Sequence, residues 1–153
     1  MAKNTIVLKN YSNVFEERIA AGTITPGELC EFVSGADTVQ RHSTDHGNVC
    51  PNMVATEDEL QGNGIDDDYS AAARVFLWLL NTGDQFYGLL ANGESVVISD
   101  KLVSAGNGKL KKLVPDDSGG IQTENIVATA LEAVDMSDSS AADPTGRIEC
   151  VAE

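Results

Sequence analysis

Basic residues are scarce in this chain. Ten lysines and arginines stand against 24 aspartates and glutamates in 153 residues, a formal charge of −14. A nucleic-acid-binding protein presents a basic face, and this balance excludes one. Anionic membrane surfaces are disfavoured for the same reason. Long apolar runs are missing too. The longest, residues 75–80, holds six residues, far short of the roughly 18 that span a bilayer. No signal-peptide core follows Met1-Ala2-Lys3-Asn4. The expectation is synthesis in a cytoplasm and release by a route other than general secretion. Aromatics make up only 5% of residues, with one tryptophan, which leaves little material for an aromatic sugar-binding site.

Catalytic and metal-binding signatures are equally thin. The best metal set is Cys30 with His42, His46 and Cys50. Fourfold spacing would align the last three on one helix face. Asp45, Gly47, Asn48 and Pro51 oppose that helix, and there is no Cys-x2-Cys pair, so these read as loop residues. Asp66-Asp67-Asp68 lacks the alternating acids and closing glutamate of a calcium loop. No Gly-x-Ser-x-Gly elbow exists. Gly62-Asn63-Gly64 and Gly106-Asn107-Gly108 lack the Gly-Lys-Ser/Thr of a phosphate loop and read as hairpin turns. No catalytic residue, cofactor or metal is assigned. The three cysteines cannot all pair within one chain. Cys30 and Cys150 fall in predicted strands and read as small core residues. Cys50, beside Pro51 in a polar stretch, is the expected exposed thiol and the candidate for an interchain disulfide.

What the chain does contain is short β-type segments cut apart by turns. Residues 5–8 and 28–33 are β-prone, separated by the strong turn Thr25-Pro26-Gly27. Residues 14–21 fit a helical turn or a strand. Thr56 with Glu59 three residues on resembles a helix cap, ended quickly by Gly62-Asn63-Gly64. Residues 74–80 form the strongest strand. Val75, Leu77 and Leu79 face one way, and Phe76, Trp78 and Leu80 the other, so both faces are apolar. Such a strand is buried on both sides, in one core or between subunits. After it come segments near 85–90, 95–99, 109–114, 126–134 and 147–151, with a break at Ser118-Gly119-Gly120 and a polar loop over 136–146. The pattern predicts an all-β fold: a compact β-sandwich or barrel of short strands with one or two short helices near Phe15 and Glu57. It divides into an extended N-terminal segment or arm, 1–22, and a single β-rich domain, 23–153. The arm combines Lys3, Lys9 and Arg18 with Ile6, Leu8 and Phe15, so it has charge and buriable surface for a neighbour; an internal edge strand is the alternative. Lys101, Lys109, Lys111 and Lys112 form a second candidate contact patch, for an acidic neighbour.

Five segments in fixed order carry a family resemblance. They are Gly83-Asp84, residues 89–94, residues 106–111, residues 130–135 and the terminal Arg147-Ile148-Glu149-Cys150-Val151. In order and spacing they resemble the capsid cement, or head decoration, proteins of tailed bacteriophages. The resemblance implies a non-enzymatic protein made in the host cytoplasm and carried on the outer capsid surface of the virion. It implies the major capsid protein as partner and self-association, as a dimer or a trimer, the trimer slightly favoured. Binding at many modest interfaces would stabilise the shell by bridging its subunits. A host-attachment or carbohydrate-binding β-sandwich module is the alternative reading.

Overall fold

The computed structural model describes residues 3–115, 125–138 and 146–153. The break expected at Ser118-Gly119-Gly120 and most of the loop 136–146 lie outside them. Among the described residues thirteen strands form three sheets. The first six are β1 (Val7–Lys9), β2 (Phe15–Ala20), β3 (Cys30–Phe32), β4 (Thr38–Arg41), β5 (Met53–Ala55) and β6 (Arg74–Leu79). The rest are β7 (Gln85–Leu89), β8 (Ser95–Val96), β9 (Lys101–Ser104), β10 (Leu110–Lys112), β11 (Ala128–Ala130), β12 (Val134–Asp135) and β13 (Arg147–Ala152).

One sheet has the order β3-β4-β2-β6-β5. Leu29 forms a bridge with Val54, and the Gly27 and Ala55 backbones exchange contacts across the same gap: Gly27 N–H donates to Ala55 O at 2.7 Å and Ala55 N–H to Glu28 O at 3.0 Å. The two ends of the sheet therefore meet, and it curls into a small barrel. Barrel diameter scales with strand number, so five strands leave a narrow lumen. The small Ala20, Cys30 and Ala55 fit there beside Val39, Met53, Val75 and Leu77. The second sheet runs β1-β7-β13-β11-β9-β10, and β8 pairs β12 separately. Its inner face alternates as a half-buried strand should: Ile148, Cys150 and Ala152 are buried, while Glu149 and Val151 are partly exposed. Gly88 sits where a Cβ would lie 2.8 Å from Leu110 Cδ1 and 3.0 Å from the Phe86 ring, so a larger residue there would have to displace the Leu110 side chain.

The strand β6 joins the two layers. Val75 and Leu77 point into the barrel lumen, and Trp78 and Leu80 pack into the core beneath the six-stranded sheet. Phe76 and Leu79 are half-buried. Trp78 is fully buried, and Phe15 stacks on it at 6.1 Å between ring centroids. Its indole N–H finds no partner among the described residues, a cost of about 1–3 kcal/mol. Loss of a buried aromatic costs about 3–5 kcal/mol, so the ring's packing outweighs that penalty.

The helix expected near Phe15 is a strand instead. Residues 15–19 pair in register with β6, Phe15 opposite Trp78 and Arg18 opposite Val75; pairing to a neighbour overrides the local helical preference of Glu16, Glu17 and Arg18. The helix near Glu57 is a single 3-10 turn, Glu59–Gln61, and its cap is Asp58, not Thr56. The N-terminal segment supplies an edge strand to one sheet and a central strand to the other.

Buried carboxylates fasten this segment. Glu57 accepts the Ile6 N–H at 3.1 Å. Asp84, fully buried, accepts the Tyr11 N–H at 2.7 Å, the Ser12 hydroxyl at 2.7 Å and the Asn81 N–H at 2.9 Å. Burial acts to raise the Asp84 pKa, but these hydrogen bonds outweigh it and hold the carboxyl below its ordinary value. A depressed pKa stabilises the fold above the unfolded value, near 3.9, and that contribution is lost as pH falls through the folded value. Glu28 acts in the opposite sense, because burial raises its pKa. The difference between wild type and Asp84→Asn isolates Asp84. We expect Asp84→Asn to cost about 2 kcal/mol at neutral pH and the gap to narrow below about pH 4. Urea unfolding across pH 2.5–7 checks this; a gap independent of pH would refute it.

Candidate interaction surface

The basic residues singled out from the sequence are mostly neutralised within the chain. Lys3 pairs with Glu149, Lys101 with Glu153, Lys111 with Asp45 at 2.6 Å and Lys112 with Asp100 at 2.8 Å. Arg18 pairs with Glu16 at 2.7 Å and lies over the Phe32 ring. Three of these lysines leave their mark on their partners. The hydrogen-bonded ammonium of Lys111 holds the Asp45 carboxyl below the usual range, and Lys112 and Lys101 do the same for Asp100 and Glu153. Lys9 and Lys109 make no ion pair among the described residues. Lys101 begins β9, and Lys111 and Lys112 are successive residues of β10, so the last two point to opposite faces of that strand, and the positive charge of all three is matched. The acidic surplus is what remains for a partner.

Of the apolar N-terminal residues, Ile6 is fully buried and is corrected from contact residue to core: its side chain belongs to the interior between the sheets. Leu8 is half-buried, and Phe15 is 44% exposed.

The cysteine and histidine set does not converge. Cys30 lies in the barrel lumen and Cys50 on the surface. His42 is buried, its Nδ1 2.7 Å from the Ser104 hydroxyl and its Nε2 3.3 Å from the Asn48 carbonyl. His46 faces Asp45. Among the described residues no group of three or more His, Cys, Asp or Glu side chains is placed to hold a metal ion. His42 thus pins two loops, a role that its polar sequence context did not signal.

The most exposed large apolar side chain among the described residues lies elsewhere. Leu60, in the 3-10 turn, is 91% exposed. It stands between two clefts. The first, about 400 Å³, is lined by Val7, Phe15, Phe76 and the acidic run Glu57-Asp58-Glu59. The second, about 520 Å³, is lined by Phe76, Tyr69, Glu17, Asp68 and Arg74. Leu60 was read from the sequence only as part of a short helix. The signal that marks it is an isolated large apolar residue inside the polar run from Glu57 to Gly64.

No family model and no curated protein matches this sequence. Among solved structures, the chain is similar to the head fiber gp8.5 N base of bacteriophage phi29. The TM-score is 0.56 at 11% identity, covering 92% of this chain and 93% of that chain. At that identity the likeness is one of fold, and it extends over nearly the whole of both chains. The all-β architecture is therefore one found in a phage head protein, a fiber base in that case.

Burial pushes the Cys30 and Cys150 thiols well up from their ordinary values, and thiolate is the reactive form. The native protein should take up one equivalent of a thiol reagent, at Cys50. Peptide mapping after native labelling checks this. Labelling at Cys30 or Cys150 without unfolding would contradict the buried positions.

Proposed function

We propose that this chain is a non-enzymatic structural protein of a phage virion, carried on the outer surface of the head. There it binds the major capsid protein and stabilises the shell by bridging capsid subunits, as a homo-oligomer, a trimer rather than a dimer. The observation that carries the reading is the fold likeness to a phage head fiber base along nearly the full length of both chains. The sequence resemblance to capsid cement proteins points to the same compartment from different features. The charge of −14 suits an outer position, away from packaged DNA. Binding to a repeating shell multiplies modest contacts into avidity. Lys9, Leu8 and Phe15, at the exposed part of the N-terminal segment, are the proposed shell contacts, with the lysines at 101–112 as a second region. Cys50 is the proposed position for any covalent link between chains, since a partner thiol can reach it.

The fiber base among its fold neighbours also favours a second reading, in which the chain is a virion-associated module that mounts or serves host attachment. The two readings differ in what the protein binds. The purified protein should bind empty expanded capsids of its own phage and fail to bind procapsids, whose subunits are arranged differently. It should raise the temperature at which those capsids disrupt. Binding to host cells or glycans with no affinity for the capsid would favour the second reading. Binding to neither would refute both.

A further inference from the structure

Leu60 and its two clefts are unexplained by the fold. The turn that carries Leu60 is well held: Asp58 caps it through the Gln61 N–H, and Gly62 closes it in the left-handed conformation. The fixed turn therefore presents a leucine side chain to water at 91% exposure. Exposed apolar surface with a polar rim marks interaction sites. Here Phe15, Phe76 and Val7 form an apolar floor beside Leu60, and Phe76 continues that floor into the second cleft.

The rim has one sign. Glu57, Asp58 and Glu59 wall the first cleft. Glu17 and Asp68 border the second, and the one base there, Arg74, is already paired with Glu17 at 2.8 Å. Glu57 and Asp58 are themselves buried and hydrogen-bonded to the Ile6 and Gln61 N–H groups, so the open charge around the apolar strip is that of the exposed Glu59 and Asp68, and it is negative. A second copy of this chain, itself at −14, would bring like charge to like charge. A small apolar molecule could fill one cleft but would not cover a leucine projecting between two. An extended chain segment crossing the ridge would cover it and reach both clefts.

We propose that the Leu60 ridge and its flanking clefts are a docking site for an extended basic segment of a partner protein, with apolar side chains seated on Phe15 and Phe76 and lysine or arginine side chains facing Glu59 and Asp68. The inference goes beyond the virion assignment. It rests on the chemistry of this surface and stands whichever protein supplies the segment. Charge complementarity sets the partner's composition and speeds encounter; the apolar anchors supply affinity.

The site carries its own reporter, because Trp78 is the only tryptophan and stacks against Phe15. The probe is a set of tryptophan-free peptides of roughly ten residues. Their central leucine or phenylalanine pairs are flanked by lysine and arginine, with acid-flanked and serine-centred counterparts. Binding to the full chain is followed by Trp78 emission and by backbone amide shifts. The basic, apolar-centred peptides should bind and shift Leu60, Phe15 and Phe76. Leu60→Ser and Glu59→Lys, both at exposed positions and checked for unchanged melting, should each weaken binding about tenfold, equivalent to about 1.4 kcal/mol. Raising salt from about 50 to 500 mM should weaken it further. The proposal is overturned if no basic peptide binds below about 1 mM. Equal binding of acid-flanked peptides, shifts confined to another face, or indifference to Leu60→Ser would overturn it as well. Self-association of the protein that Leu60→Ser abolishes would assign the ridge to a second copy and equally overturn it. Failure of capsid binding alone leaves these results untouched, so the two claims fail separately.

Discussion

A strand with two apolar faces must be covered twice, and β6 imposes that demand on everything around it. Val75 and Leu77 need a lumen, which the other four strands of its sheet supply by curling until Leu29 meets Val54. Trp78 and Leu80 need an opposing layer, which the six-stranded sheet supplies. One strand therefore ties the first half of the chain to the second. Buried apolar surface contributes about 25 cal/mol per Å², and an aromatic ring such as Trp78 is among the largest single contributors. The two cores are joined through residues one position apart on this strand.

Polar contacts then hold the loops to that frame. Arg147, at the start of β13, is 7% exposed. Its guanidinium donates to the carbonyls of Pro26, at 2.8 Å, and Ile65, reaches Asp66 at 3.2 Å and lies over the Tyr87 ring. Gly27, with φ of +94°, leaves room for it, since a Cβ there would lie 2.6 Å from the Arg147 Nη1. Glu57 and Asp84 do similar work on the N-terminal segment. A buried charge is costly unless paired and hydrogen-bonded, and each of these groups meets that condition through backbone partners that lie far away in sequence. The result is that the loops carrying Pro26 and Ile65 and the described part of the N-terminal segment are fastened to one body.

The sequence made the strands and turns readable because both rest on local rules. The alternation over residues 74–80 and the turn at Thr25-Pro26-Gly27 needed no tertiary information. Where local rules allowed two answers, pairing decided: residues 15–20 are a strand because β6 and β4 flank them. Thr56 looked like a cap, but its backbone and hydroxyl are taken by the Phe76 carbonyl, and Asp58 took the role. The surface was harder to read. Lys101, Lys111 and Lys112 form a cluster in sequence, yet their acidic partners come from residues up to 66 positions away, which no spacing rule reveals. Ile6 was indistinguishable from Leu8 until the fold buried one and left the other half-exposed. The Leu60 ridge depends on Phe15, Phe76 and Val7 arriving beside it from three strands and could not be assembled from the sequence.

The picture is of an acidic β-body whose positive charges are mostly paired internally and whose most exposed large apolar side chain among the described residues, Leu60, stands beside two clefts. The account's central claim is its place on the phage head, and a three-dimensional reconstruction of the mature particle tests that most directly. The account predicts density for this two-layer β-fold on the outer face of the head shell, repeated by the shell's symmetry and touching the major capsid protein. Density inside the shell or on the tail, or the chain's absence from the particle, would contradict it.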